Sequence, residues 1–408
     1  MLNVQLVWMD ASTHGGRLLV LLEVWYNRSS LLRLPIVDTR GPRMSSQRQQ
    51  GRGPAVQSAV IIQSPGRAAL VRDWPIPPLR EGYVRIRTVA VAVNPCDWKQ
   101  VDGLGSPGTL LGCDYAGVVE EVGPGVRKPL KKGDRVCGMA HGANTTFPED
   151  GAFAETIIAK ADVQMRMPDH LGFEDAATLG VGVATVALGM YRNLDLALPA
   201  RQAAGDTSIL VYGGSTATGV MAVQFAKLSG YHVYATCSPS NFDLVRGFGA
   251  DVVLDYHDAD ACAERIRQLS DNALTLVFDC ISDEASARFC LAAMSTWGGE
   301  YSHINGLASV SFPKNVRASF AGAFTVFGEG FYYGDAWYGP EPGDQLLMEN
   351  VAWLAEDLLL SRALRPHRAT VGRGGLRGVL DGMDRLRHGR VSGEKLVYRV
   401  DSRPACKL

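Results

Sequence analysis

The sequence predicts an α/β protein in which an irregular β-barrel precedes strand–helix units. Three observations carry that class. Short strands broken by Gly and Pro fill residues 56 to about 160, a strand–glycine turn–helix unit runs without interruption from Ser208 to Gly230, and a second strand follows at Tyr231 to Thr236. With 408 residues there is room for two domains, each with its own core. The 46% apolar and 20% charged content is globular, and a net charge of −1 gives no reason to expect a nucleic-acid partner. Eight scattered cysteines show neither C-x-x-C nor His-paired spacing, which argues against a structural zinc and a disulfide framework and for free thiols in a reducing, cytoplasmic setting. No apolar run approaches the ~18 residues of a membrane span.

In chain order, residues 1–56 stand apart. Seven arginines against three acids give this segment +4, while the remainder carries −5. Arg40 to Pro54 is poor in apolar residues, so the segment is expected to be an unstructured or misassigned extension, with Met44 an alternative start and a mitochondrial presequence the functional alternative. From Val56 the pattern turns to strands. Val56 to Ile62 is followed, after Pro75, Pro77 and Pro78, by Tyr83 to Val93, where Val84, Ile86, Thr88, Ala90 and Ala92 alternate with Arg85 and Arg87. Asp114 to Val119 is strand-like, Gly123-Pro124-Gly125 is a turn, and further short segments follow around Lys132 to Val136 and Gly151 to Glu155.

At the centre of the chain, the apolar run Ile209 to Tyr212 leads into Gly213-Gly214-Ser215-Thr216 and then a helical pattern through Val220, Val223, Phe225 and Leu228. Such a turn aims the free N–H groups of a helix start at a phosphate, so a dinucleotide is the natural guest. The strict G-x-G-x-x-G spacing is not met, since only Gly213, Gly214 and Gly219 are present, and a plain helix-packing turn reads the same way. The second strand ends in Cys237-Ser238-Pro239-Ser240-Asn241, where a ribose-binding acid is usual, and carries none. Hydroxyls at Ser238 and Ser240 with a cation at Arg246 favour NADPH over NADH, because a carboxylate would repel a 2′-phosphate. A polar turn beside a solvated Arg is the other reading.

The segments NPCDWK, GCDYAGVVEEVG, KKGDRVCG, GAFAE and AATLGVGVATVALG, in this order, resemble the medium-chain dehydrogenase/reductase superfamily. Within it CDWK, YGGSTATG, ATCSPSNFDL, FGEG at Phe327 to Gly330 and SGEKLVYRV are similar to fungal enoyl reductases that act in trans on polyketide synthases. The resemblance implies a GroES-like β-barrel catalytic domain from residues 57–192 and 366–408, clasping a doubly wound Rossmann NADPH-binding domain from 193–365. The alcohol dehydrogenase branch has Cys where Asn94 stands and His where Cys113 stands, and its structural zinc loop would fall at Ala143 to Asp150, which holds no Cys; no metal is expected. Without a Lewis acid, conjugate reduction by hydride is more plausible than alcohol oxidation.

By the same resemblance the NADPH site comprises Cys96, Asp97, Trp98 and Lys99; Ser215, Thr216, Ala217 and Thr218; Ser238, Pro239, Ser240 and Asn241; Tyr256; Ile304 with Asn305; and Val391 with Ser392. Lys99 is the catalytic candidate, since an ammonium there can hold the cofactor, support negative charge on a thioester oxygen or relay a proton; a solvated barrel lysine is the alternative. Substrate contacts are expected from Thr185, Val186, Ala187, Leu188, Gly189, Met190, Tyr191 and Arg192, and from Phe324, Thr325, Val326, Phe327, Gly328 and Glu329, which open an aromatic-rich segment. The expected partner is a polyketide synthase acyl carrier domain, met by a monomer. Eight arginines between Ser361 and Arg390, against Asp381 and Asp384, form a candidate docking surface or a plain solvated face. A zinc-free quinone or enone reductase and a non-catalytic NADPH-binding protein remain the other function classes.

Overall fold

The computed structural model describes residues 55–203 and 207–400, together with two short strands, Asn3–Val7 and Leu21–Trp25, that pair antiparallel. Those strands belong to a separate unit of the first 52 residues, so this part of the expected unstructured extension is paired; the rest of that expectation lies outside the described residues.

A seven-stranded, mostly antiparallel sheet forms the barrel. Its order is Ala369–Gly372, Lys395–Arg399, Tyr83–Ala92, Asp114–Val122, Arg135–Met139 and Met165–Arg166, with Thr156–Lys160 also paired to Tyr83–Ala92. The hairpin Val56–Ser64/Arg67–Pro75 joins through bridges at Ala59 to Ala154 and Ile61 to Leu110. The alternation read in Tyr83–Ala92 holds through Thr88, where a register shift falls; beyond it Ala90, Val91 and Ala92 are all buried, and the two faces of the strand end serve different cores.

Six parallel strands form the second sheet: Ser208–Tyr212, His232–Thr236, Val252–Leu254, Leu276–Asp279, Gly299–His303 and Val316–Phe320. Numbered in chain order they lie 3-2-1-4-5-6, the doubly wound arrangement whose order reverses between the first and fourth strands. The helix Ala217–Leu228 buries Val220, Met221, Ala222, Val223, Phe225 and Ala226 against the sheet. The crevice beyond the carboxyl ends of strands one and four is where such a sheet takes a ligand.

Between the two sheets runs a helical stretch, Phe173–Arg192. Contrary to the sequence reading, it is long and apolar enough to cross a membrane, but it is mostly buried inside the protein, as a core helix is. Gly180 lets its start come close, since a Cβ there would lie 2.2 Å from the Gly138 carbonyl oxygen.

That close approach ends on a charge. Asp114 is fully buried, and its carboxylate accepts from the Val181 N–H at 2.6 Å, from Asn94 Nδ2 at 2.8 Å and from the ammonium of Lys395. Lys395 in turn donates to Asn94 Oδ1 at 2.9 Å. Removing one member of such a pair strands a buried charge, which costs far more than an exposed ion pair is worth. Lys395→Ala should therefore lower stability by about 3–5 kcal/mol, whereas an exposed change such as Arg368→Ala should move it by less than about 0.5 kcal/mol. Thermal or urea unfolding of the two variants checks this.

Candidate active site

The glycine turn is built for close approach. Gly213 has φ +80°, in the left-handed region, and a Cβ there would sit 3.0 Å from Ile281 Cγ1. A Cβ on Gly219 would fall 2.2 Å from the Gly213 carbonyl oxygen, so the helix can start this near the strand only with glycine. Thr216 is the N-cap: its Oγ1 accepts from the Gly219 N–H at 2.9 Å. Gly213 N–H donates to Thr236 Oγ1 at 3.2 Å and Gly214 N–H to the Thr236 carbonyl at 2.8 Å, which ties the turn to the second strand. Ser215, Thr216, Ala217 and Thr218 all remain partly exposed at the crevice.

Around this turn the chain gathers groups that are far apart in sequence. Asn241 Nδ2 donates to Ser392 Oγ at 2.9 Å and reaches Ser215 Oγ at 3.4 Å, and Ser238 Oγ lies 3.4 Å from the Tyr256 hydroxyl. Pro239 and Ser240 form the exposed turn between Ser238 and Asn241. Tyr256 is half-buried, stacked on His257 at 4.5 Å. Arg246, expected as the phosphate cation, is exposed and already shared: Asp243 stands 3.5 Å away, and the guanidinium lies 5.2 Å over the Phe242 ring.

Lys99 meets the parallel sheet directly. Its Nζ donates to Asn305 Oδ1 at 3.0 Å, bridging the barrel helix Pro95–Lys99 and the end of the fifth strand. Burial lowers the Lys99 pKa, an effect partly opposed by attraction to Cys96. Asn305 is itself held, donating from Nδ2 to the Ile281 carbonyl at 2.8 Å, while Ile304 N–H donates to Ser282 Oγ at 2.9 Å. That Ile281–Ser282 turn is fixed by Asp279, whose buried carboxylate accepts from both backbone N–H groups, from Ser286 and from Tyr301. Burial raises the Asp279 pKa and these four donors oppose it. Val391 and Ser392 approach the same crevice from the barrel side, Gly393 being packed so tightly that a Cβ would lie 2.3 Å from Asn241 Oδ1.

Several of the expected contact residues are buried or already engaged within the protein. Asp97 is fully buried and accepts the Asn94 N–H at 2.6 Å, so it braces the start of its helix and offers no surface to a ligand; burial pushes its pKa up to about 7. Trp98 packs against the barrel core, with its indole N–H buried and unpartnered among the described residues. Thr185, Val186, Ala187, Leu188, Gly189, Met190 and Tyr191 are buried and fill the core between the sheets; a Cβ on Gly189 would strike Phe278 at 2.4 Å. Arg192 stays partly exposed but pairs with Asp344, which also accepts from Thr325 Oγ1. Phe324, Thr325, Val326 and Phe327 are buried. Gly328 has φ +68°, and Glu329 spends its carboxylate on Tyr83 and Lys160, both at 2.7 Å. This segment is therefore an anchored wall, with the hairpin Phe331–Tyr333/Ala336–Tyr338 as its exposed end.

The wall packs on a residue the sequence reading missed. His141 lies stacked 4.3 Å from Phe324 and edge-on 4.7 Å from Phe331, and burial pushes its pKa down to about 3, so it is neutral. Asp279, Asp114 and Lys395 were missed as well; only the third dimension brings them to the site. One trio of donor-bearing side chains, Cys96, Asp97 and Cys113, has its ligand atoms within 4.8 Å of one another among the described residues. A dication there would share the pocket with Lys395, whose ammonium already neutralises Asp114, and Asp97 is committed to a backbone N–H. The donor set does not fit the zinc of the wider superfamily.

Models of two families match the chain, the alcohol dehydrogenase GroES-like domain over residues 80–169 and the zinc-binding dehydrogenase over 217–338. The chain is 52% identical over 287 residues to the trans-enoyl reductase TOXD of Cochliobolus carbonum, covering 70% of this chain and 95% of that protein. The chain belongs to the trans-enoyl reductases. A second relative, trans-enoyl reductase resD of Aspergillus sclerotiorum, is 44% identical over 358 residues, 84% of this chain and 99% of that protein. In structure the enzyme is similar to an alcohol dehydrogenase superfamily protein from Novosphingobium aromaticivorans, with a TM-score of 0.69 at 20% identity over 85% of this chain and all of that one; this shows the shared fold. The enzyme is an oxidoreductase of the medium-chain dehydrogenase/reductase superfamily that uses a nicotinamide cofactor.

Proposed function

We propose that the enzyme reduces the α,β double bond of an acyl thioester carried by a polyketide synthase acyl carrier domain, with NADPH as its cofactor and Lys99 at the reacting end of the cleft. The observation that carries this reading is the Lys99–Asn305 hydrogen bond, a partly desolvated ammonium held at the mouth of the switch-point crevice. The residues fit a phosphorylated dinucleotide: a glycine turn with a capped helix start, and a rim of Ser215, Ser238, Asn241, Tyr256 and Ser392 without a carboxylate among them. When bound, the reduced nicotinamide supplies the hydride to the β-carbon. Lys99 then meets the charge that develops on the thioester oxygen, where a donor in a dry site is worth more than in water. The free thiols of the described cysteines suit a reducing compartment such as the cytoplasm.

The arginine-rich segment supports the partner only in part. Arg385 pairs with Glu394, Arg387 with Asp102, Arg390 with Asp384, and Arg365 donates to the Gly247 carbonyl. Arg362, Arg368, Arg373 and Arg377 are exposed with no carboxylate partner among the described residues, and they make the basic rim offered to an acidic carrier domain.

Lys99→Ala should lower turnover of an enoyl thioester at least tenfold with the fold intact, since loss of a charged contact costs ~1.5–3 kcal/mol. A protonated Lys99 is required, and its pKa is lowered, so kcat/KM should fall on the alkaline side at a pH below the ordinary lysine range of about 10.4. Lys99→Arg should move that limb upward. Wild-type rates in Lys99→Ala would remove Lys99 from the chemistry.

Fluorescence titration should show tighter binding of NADPH than of NADH, and Ser238→Asp should weaken NADPH selectively by placing a charge beside the 2′-phosphate. Equal affinity would overturn the cofactor assignment.

Carrier-bound substrate should be turned over faster than the same acyl group on a pantetheine mimic. The advantage should shrink with salt and with Arg368→Glu and Arg373→Glu. No carrier advantage would favour a reductase of free enones or quinones.

A further inference from the structure

Seven described cysteines are free, and six of them are buried; Cys96 alone among them reaches the surface. Its Sγ lies 3.8 Å from the Sγ of Cys113, the residue just before the strand Asp114–Val122. The contact could not be read from sequence, since 16 residues separate the pair and neither sits in a C-x-x-C motif. We propose that Cys96 and Cys113 are a reversible oxidation site that switches the enzyme off.

The chemistry balances with a peroxide as oxidant. The Cys96 thiolate attacks one peroxide oxygen, giving a sulfenic acid and releasing hydroxide; the Cys113 sulfur then attacks the Cys96 sulfur, expelling water once its proton is transferred, and forms the disulfide. Two thiols lose two electrons and the peroxide gains them. The order of events is set by the surroundings. Cys96 is the partly exposed member of the pair and is open to the oxidant. Cys113 is fully buried, and its pKa is raised first of all by its hydrogen bond with Cys96, then by burial.

Closing the pair moves the catalytic lysine. A disulfide needs its sulfurs about 2.0 Å apart, against 3.8 Å here, and Cys96 shares the five-residue helix Pro95–Lys99 with Lys99, three positions on. Residues three apart lie on one helix face, so a pull on Cys96 is felt at Lys99. The 3.0 Å bond from Lys99 to Asn305 has little slack before it is lost. The link to activity rests on the reading of Lys99 above; the thiol chemistry does not.

The full-length enzyme would be treated with a small excess of hydrogen peroxide, then analysed by intact mass, by peptide mapping without reduction and by enoyl thioester turnover. Expected are a loss of about 2 Da and a Cys96–Cys113 cross-linked peptide. Turnover should drop at least tenfold and recover with dithiothreitol. Cys113→Ser should give no cross-link and instead trap a dimedone adduct on Cys96; should that variant not fold, the wild-type peptide map decides alone. A map without the Cys96–Cys113 peptide overturns the site. A cross-linked enzyme that turns over at the untreated rate overturns the switch. Failure of the Lys99 assignment shows separately, as wild-type turnover in Lys99→Ala with the cross-link still formed.

Discussion

A buried ammonium holds this molecule together. Lys395 lies in the last barrel strand, and in one small volume it satisfies Asp114 and Asn94 while Asp114 also receives the backbone of the core helix at Val181. The barrel, the segment bearing Lys99 and the helix leading to the parallel sheet thus share one charge-neutral knot. Such an arrangement adds little to stability compared with an apolar filling of the same volume. What it contributes is geometry: a buried charge tolerates only positions that satisfy it, so Asn94, two residues before Cys96 and five before Lys99, is fixed in place.

The aromatic-rich segment from Phe324 to Glu329 would be free to slide were it held by apolar contacts alone, since those have no direction. Directed bonds at its two ends prevent this. Thr325 shares Asp344 with Arg192 at one end, and Glu329 bonds Tyr83 and Lys160 of the barrel at the other. Between them the neutral His141 serves as a flat partner for Phe324 and Phe331. Arg192 and Glu329, the charged residues expected to touch substrate, are engaged in holding this wall.

Local features were legible because they are local. The strand–turn–helix at Ser208 to Leu228 and the alternation in Tyr83 to Thr88 are set by neighbours within a few residues, and both stand in the structure as read. The gathering of Ser215, Asn241 and Ser392 came from resemblance and is carried physically by Gly393, which permits the close approach. Burial is harder to read where composition is ambiguous: Thr185 to Tyr191 reads equally as a channel wall or as core, and the Phe278 ring packed against Gly189 is a long-range contact that no local pattern records. The Asp279 brace and the Asp114–Lys395 pair join residues 22 and 281 positions apart, which no periodicity records.

The place of Lys395 in the chain also constrains the order of assembly. The whole parallel sheet lies between the barrel strand Met165–Arg166 and that lysine, so during synthesis the sheet is complete before the barrel can close. Until residue 395 has left the ribosome, Asp114 lacks the Lys395 ammonium and the Ala90–Ala92 end of the strand Tyr83–Ala92 keeps an unpaired edge. The parallel sheet is thereby finished while the barrel is still open. An incomplete chain can hold the crevice of the parallel sheet, but the position of Lys99 waits for Lys395 to arrive.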